Sequence, residues 1–445
     1  MNRKKVNIVT LGCSKNEVDS ELMQGILDKD SFEYVNDPEE ANIIIVNTCG
    51  FIEAAKEESI DTILSMAQYK TEGNCEGLIL AGCMAQRYSS ELLEELPEVD
   101  AVIGTGNIRN LNQVLEGINK GERNIAIDDI DSEYLERIER EVTSPVAYVR
   151  ISEGCDNLCT YCIIPQLRGK HRSRKMEDII EEASSLAEKG VKEIILIAQN
   201  TSDYGIDLYG GYKLGNLLDR LNSIEDIKLI RLLYVYPDNI NDDLINSMSR
   251  NMKVARYLDI PLQHASDKIL RLMNRKTTRK EITATISKLR KQLPGLVLRT
   301  TFIVGFPGET EEDFKELCDF VEEIKFDKLG VFAYSREENT PAFSLNGQLD
   351  EDTKVLRRER LMELQLKISE LLMSDKIGNI YEVMIEELAE EGLYVGRSYM
   401  DSPEIDGVFY VKSNRELELG DIVMVRAVEY LEYDLIGELR DESGQ

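Results

Sequence analysis

Within the first 120 residues the chain repeats one unit three times: an apolar run, a cysteine at its end, then a helical stretch. Val6 to Leu11 leads into Gly12-Cys13 and a helix over about 17–27. Ile43 to Val46 leads into Asn47-Thr48-Cys49 and a helix over about 53–68. Leu78 to Leu80 leads into Ala81-Gly82-Cys83 and a helix near 90–95, and a fourth run, Ala101 to Ile103, ends in Gly104-Thr105-Gly106. Strands alternating with helices fold as a parallel sheet with right-handed crossovers, and such sheets gather ligands at the carboxyl ends of their strands. Cys13, Cys49 and Cys83 all stand at that end, so they are expected to converge although far apart in sequence. A lone strand-end cysteine is usually a small buried hydrophobe. Three of them, each beside a glycine or a small polar residue, read as a ligand set.

The alternation resumes from Ala147 to about Lys376. Ala147–Ile151, Glu193–Ile197, Lys228–Leu233, Tyr257–Ile260, Val297–Ile303 and Leu329–Phe332 are the strand candidates, with helices between them. Six βα units predict a partial (βα)6 barrel with its chemistry on the strand-end rim. A long helix over about 351–374 closes that region. Beyond Gly378, short runs at Glu382–Ile385, Leu393–Val395, Gly407–Val411, Ile422–Val428 and Leu435–Leu439 predict a small antiparallel β-barrel. The fold class is therefore α/β with a terminal barrel. The divisions are a parallel-sheet domain at 1–120, an acidic, irregular linker at 121–145 (Asp128-Asp129, Asp131-Ser132-Glu133, Pro145), a barrel at 146–373 and the small β-barrel at 374–445.

No signal peptide is expected from the N-terminal residues, and no apolar run approaches the ~20 residues that span a bilayer. A cytoplasmic protein with no membrane partner is expected, where eight cysteines are unlikely to pair as disulfides. With only two histidines, His171 and His264, any metal must be held largely by thiolate.

Cys155, Cys159 and Cys162 form a CxxxCxxC directly after the first barrel strand. Three close thiolates can hold three irons of a [4Fe–4S] cluster, whereas full protein ligation takes four, so one iron stays open to a small molecule. The alternative is a zinc knuckle that borrows a distant cysteine.

On this motif the chain resembles the radical S-adenosylmethionine (SAM) superfamily. The resemblance implies that SAM chelates the open iron and is cleaved to a 5′-deoxyadenosyl radical, with the protein orienting the cofactor and excluding water. It also implies cofactor contacts at Gln199 and Asn200, in Ile197-Ala198-Gln199-Asn200-Thr201, and at Gly305 and Glu309, in Gly305-Phe306-Pro307-Gly308-Glu309. His264 ends a strand and is a candidate for the pocket wall.

The runs from Leu11-Gly12-Cys13-Ser14-Lys15-Asn16 to Asp19-Ser20-Glu21, and Asn47-Thr48-Cys49-Gly50-Phe51-Ile52, with Ala81-Gly82-Cys83, resemble the methylthiotransferases of that superfamily along the whole chain. The terminal barrel then corresponds to their TRAM domain. What this implies is a second, auxiliary [4Fe–4S] cluster on Cys13, Cys49 and Cys83, and SAM used both as methyl donor and as radical source.

Two substrates divide the family, an adenosine beside the tRNA anticodon and an aspartate of protein twelve of the small ribosomal subunit. Gly50 after the second cysteine, and the run from Val395-Gly396-Arg397-Ser398-Tyr399 to Asp401-Ser402-Pro403-Glu404-Ile405-Asp406-Gly407, resemble the ribosomal-protein branch, with tRNA the alternative. Charge points the same way. The net charge is −30, and from Lys376 onward 17 Asp and Glu face 6 Lys and Arg. Phosphate capture needs the opposite balance, while a basic ribosomal protein suits it. The one strongly basic stretch, Arg168 to Lys175, does not separate the substrates. An electron donor such as flavodoxin or ferredoxin and a source of sulfide are also implied. A non-catalytic iron–sulfur sensor is the remaining reading. Cys75 and Cys318 fall outside both triads and are expected to have no cluster role.

Overall fold

The computed structural model describes residues 3–127, 130–132 and 134–440. Its first sheet contains β1 (Lys4–Thr10), β2 (Phe32–Tyr34), β3 (Ile43–Thr48), β4 (Gly77–Ala81), β5 (Ala101–Ile103) and β6 (Asn124–Ala126), ordered β2-β1-β3-β4-β5-β6. Every pairing is parallel. β3 and β4 are buried along their whole length because both sheet faces are covered. Alternate residues serve opposite cores: Ile43 and Ile45 pack with Met23 and Leu111, and Ile44 and Val46 with Ile63 and Leu92.

The sequence pattern reveals four of these six strands. β2 and β6 have three residues each and are held by their register with β1 and β5 rather than by an apolar pattern of their own. β6 lies inside the expected linker, so the first domain extends past residue 120. Described residues beyond it are tied to the second domain. Asp131 accepts from the Lys170 amide at 3.0 Å, the Tyr134 hydroxyl donates to the Arg172 carbonyl at 2.6 Å, and Arg140 pairs with Glu21 and Glu182. Asp128, Asp129 and Glu133, part of the linker expectation, lie outside the described residues.

In the second domain β7 (Val146–Arg150) is followed by a two-residue antiparallel pair, β8 (Ser152–Glu153) and β9 (Arg172–Ser173), which brackets the CxxxCxxC loop. β10 (Glu193–Ile197), β11 (Leu229–Leu232), β12 (Val254–Asp259), β13 (Val297–Val304) and β14 (Lys328–Ala333) complete a parallel sheet in chain order, β7-β10-β11-β12-β13-β14. Strand order that follows the chain is the product of successive right-handed βα units. β7 and β14 do not pair, so the barrel is open. The helix Glu351–Ser374 packs Leu361 and Ile368 into this core.

The last domain closes β15 (Ile380–Glu390), β16 (Leu393–Arg397), β17 (Phe409–Lys412), β18 (Ile422–Tyr430) and β19 (Leu435–Leu439) into a barrel ordered β15-β16-β17-β19-β18. One correction applies to the antiparallel expectation: β17 and β19 run parallel. Five strands around a closed ring cannot alternate throughout, so one parallel pairing is forced. The barrel is locked to the second domain through charge. Glu193, fully buried on β10, accepts from Arg231 Nε at 2.7 Å and Arg397 Nη2 at 2.8 Å. Lys328 Nζ reaches Asp401 Oδ1 at 2.7 Å, and the Tyr257 hydroxyl reaches Asp406 Oδ2 at 2.7 Å. Asp401 and Asp406 thus serve docking rather than an acidic surface, while Glu387, Glu390, Glu416 and Glu418 remain exposed.

Candidate active site

In the first sheet Thr10 stands opposite Asn47, and Asn47 opposite Ala81. This register brings the loops bearing Cys13, Cys49 and Cys83 level. Two glycines let those loops turn tightly. Gly12 has φ +93°, and a Cβ on it would stand 2.8 Å from Cys49 Cβ; Gly82 has φ +89°, and its Cβ would meet Asn47 Oδ1 at 2.4 Å. Asn16, fully buried, stitches the loops together: its Nδ2 donates to the carbonyls of Leu11 at 2.8 Å and Thr48 at 3.1 Å. Thr48 Oγ1 donates to the Ala81 carbonyl at 2.6 Å. Cys13 is the N-cap of the helix Ser14–Gly25, and Cys83 lies in the first turn of the helix Gly82–Glu95. That second helix begins well before the expected Ser90, because a break at Tyr88 splits its apolar pattern.

Cys155, Cys159 and Cys162 face the first triad across a single cavity of ≈ 320 Å³, lined by all six sulfur-bearing side chains. All six are free thiols. Among the described residues no three His, Cys, Asp or Glu side chains are grouped to hold one ion. Three thiolates in each triad match the donor set of a [4Fe–4S] cluster with one iron left open. Burial pushes the free thiols of Cys83 and Cys162 up to about 12 and that of Cys155 up to about 11. Loading iron onto such thiols releases their protons.

A buried ion network joins the two domains beside the first triad. Asp19, on the first domain's helix, pairs with Arg150 at 2.6 Å and Arg168 at 2.7 Å. Glu153 accepts from Arg150 at 2.7 Å. Arg168 Nη2 also donates to Asn16 Oδ1 at 2.8 Å and to the Cys83 sulfur at 3.5 Å. Burial acts to raise the Glu153 carboxyl, but Arg150 and Arg168 hold it below the usual carboxylate range. The basic stretch from Arg168 to Lys175 is therefore largely an internal tie, since Arg172 pairs with Asp131 and Arg174 with Glu136 and Glu182.

Of the four residues expected at SAM, Gln199 lines the cavity. Its Nε2 donates to Glu153, and its buried Oε1 has no hydrogen-bond partner among the described residues. The Oε1 of Gln263, also on the cavity wall, is left in the same way. Buried polar atoms are nearly always paired, so both are aimed at a polar group that the cavity receives. The other three lie behind the wall. Asn200 caps the turn Thr201–Asp203 by accepting from the Ser202 amide at 3.1 Å. Glu309 Oε2 accepts from the amides of Gly305 at 2.8 Å and Phe306 at 3.2 Å, and its Oε1 from Arg357 at 2.7 Å. His264 is fully buried, its Nδ1 accepting from the Ser266 amide at 3.0 Å, and it does not reach the cavity.

The sequence reading missed Lys15, Tyr234, Gln263 and Arg275, all on the cavity wall. Tyr234 has φ +58° and Gln263 φ +72°. Left-handed conformations cost about 1–3 kcal/mol each in residues with side chains and collect at functional sites. Cys75 packs in the first domain's core and Cys318 against the second's, both away from the cavity. Among the described residues no helix is long and apolar enough to cross a membrane.

Three family models match in succession. They are Uncharacterized protein family UPF0004 over residues 5–104, the Radical SAM superfamily over 149–321 and the TRAM domain over 377–439. The chain is 52% identical, over 98% of both chains, to the ribosomal protein uS12 methylthiotransferase RimO of Clostridioides difficile strain 630. It is 51% identical, over 100% of both, to the protein of the same name from Acetivibrio thermocellus. Among solved structures, the cobalamin- and [4Fe-4S]-bound radical SAM methyltransferase TsrM of Kitasatospora setae superposes with TM-score 0.56 at 12% identity, covering 77% of this chain and 74% of that one. That likeness carries the fold alone.

Proposed function

The chain belongs to the RimO family of ribosomal protein uS12 methylthiotransferases, and from that membership we propose that it adds a methylthio group to the β-carbon of an aspartate of uS12. The observation that carries this reading is the 52% identity along 98% of both chains to a relative of that name. We assign one [4Fe–4S] cluster to Cys155, Cys159 and Cys162 and a second to Cys13, Cys49 and Cys83. When bound, the clusters and SAM supply the electron, the radical and the sulfur and methyl groups.

The protein's own part is positioning and exclusion of water. A cluster held by either triad would have three protein thiolates and one iron free for a small molecule, and both triads line the same cavity. Gln199 is the SAM contact on the wall; Asn200, Gly305 and Glu309 act one layer behind it by fixing the loops. Arg168 places a positive charge against Cys83 and favours its thiolate. Phe51, Tyr161 and Tyr236 give the cavity an apolar lining, which shields a reactive carbon centre from side reactions. An electron donor of the flavodoxin or ferredoxin type and an external source of sulfide complete the reaction.

Mass spectrometry of uS12 and of tRNA nucleosides from a strain lacking this chain tests the assignment. Loss of the methylthio group from uS12 alone is the expected result. Loss from a tRNA nucleoside, with uS12 unchanged, would replace this reading by the tRNA one.

A further inference from the structure

The cavity wall carries a buried lysine ammonium. Lys15 is 7% exposed, and its Nζ lies 3.0 Å from the centroid of the Tyr234 ring. Among the described residues no carboxylate pairs with it, although Arg150 and Arg168 nearby are fully engaged by Asp19 and Glu153. A buried charge is ordinarily paired, and a ring face replaces only part of the water that an ammonium loses.

The ring beneath Lys15 is itself held in place. Tyr234 keeps its left-handed backbone because its amide donates to Asp259 Oδ2 at 3.1 Å and its carbonyl accepts from the Thr201 amide at 3.1 Å. The strain is maintained by two neighbouring strand ends, and its effect is to seat an aromatic face under the lysine.

We infer that Lys15 binds the carboxylate of the target aspartate, an inference that rests on the reading of the reaction above. In aspartate the carboxylate carbon is bonded directly to the β-carbon, so a cation that anchors the carboxylate fixes the reacting carbon one bond away. Lys15 follows Cys13 by two residues and opens on the cavity that both triads share. A neutral adenine edge can accept a hydrogen bond from this lysine but brings no opposite charge to it. The other carboxylate to be housed is that of SAM, and the cavity has a second cation for it. Arg275 stacks 3.9 Å from the centroid of the Tyr236 ring on the same cavity wall, and its Nη2 donates to the Pro261 carbonyl at 2.8 Å.

The test uses the full-length enzyme reconstituted anaerobically with iron and sulfide. It is bound to recombinant uS12 carrying either the target aspartate or asparagine in its place. The wild type is expected to prefer the aspartate form by about tenfold or more. In Lys15→Met that preference should fall to near one, with iron content and SAM affinity held, and Lys15→Arg should restore it in part. A wild-type preference near one overturns the inference without any variant. So does Lys15→Met with the preference intact, or with weakened SAM affinity alone, which would assign the lysine to the cofactor. If Lys15→Met fails to load iron, the wild-type ratio and Lys15→Arg decide the matter. A wild type that leaves no methylthio group on uS12 removes the reading of the reaction and this inference together; every other contrary result removes the inference alone.

Discussion

Arg168 Nη2 donates to the Cys83 sulfur across 3.5 Å, so a guanidinium of the second domain touches a thiol of the first. The same side chain pairs with Asp19 at 2.7 Å. One residue therefore tunes a ligand and holds the interface. Arg168→Gln is expected to lower stability by about 3–5 kcal/mol, because it breaks a buried pair, with the urea midpoint as readout. A cluster held by Cys83 should also titrate at a more negative potential, since a donor to the sulfur favours the reduced form. An unchanged potential by EPR-monitored titration would separate the structural role from the electrostatic one.

Replacing Cys13, Cys49 and Cys83 together by Ala should remove about half the iron taken up on reconstitution, following the assignment of three thiolates to each cluster. The reduced variant should still yield 5′-deoxyadenosine while losing methylthio transfer. Iron analysis beside chromatography of the products checks both halves.

Gly12→Ala places a methyl group 2.8 Å from Cys49 Cβ and 3.1 Å from its sulfur at a backbone with φ +93°. The strain should cost about 1–3 kcal/mol and displace Cys49. Thermal unfolding and the iron content of the first domain are the measurements, and full iron loading would contradict the geometry.

Glu193 is the anchor of the terminal barrel. Burial acts to raise its carboxyl, but Arg231 and Arg397 outweigh burial and hold it below the ordinary value of 4.5. A depressed carboxylate stabilises the fold above its unfolded pKa and loses that contribution as pH falls through the folded one. Barrel docking should therefore weaken below about pH 4. Glu193→Gln should release the barrel to limited proteolysis already at neutral pH, at a cost of about 3–5 kcal/mol.

Glu17 behaves in the opposite sense. Burial, with Glu404 and Glu21 adding negative charge, pushes its carboxyl up to about 7. The unfolded chain then ionises first, so the fold loses stability as pH rises from the ordinary value of 4.5 toward 7. The shift caps this loss at about 3 kcal/mol, and screening on the solvent side reduces it to about 1 kcal/mol. Glu17→Gln should be more stable than the wild type at about pH 8 and equal to it at about pH 4 in urea titrations.

The convergence within each cysteine triad was legible in the chain because each follows from a local rule, whereas the facing of the two triads across one cavity comes only from the fold. One rule is spacing within a loop; the other is the common end of parallel strands. The three-residue strands β2 and β6 were not, since only their neighbours' register makes them strands. Asn200 and Glu309 are expected near the cofactor from the family resemblance of their segments, and in the fold both accept from amides of their own loops. Tyr234 and Gln263 carried no signal at all. Their left-handed backbones are imposed by contacts from distant segments, such as those of Asp259 and Thr201 on Tyr234. Lys15 lay in plain view between Cys13 and Asn16, but only the fold shows it over the Tyr234 ring with no carboxylate paired to it among the described residues.

The sharing of Asp19 between Arg150 and Arg168 also bears on how such a chain can be inherited. A first domain grafted onto a foreign radical core would bring a buried carboxylate to a seam without its two guanidinium partners. A core grafted onto a foreign first domain would bring the two cations without their acid. Recombination at this seam thus leaves a buried charge unpaired from either side.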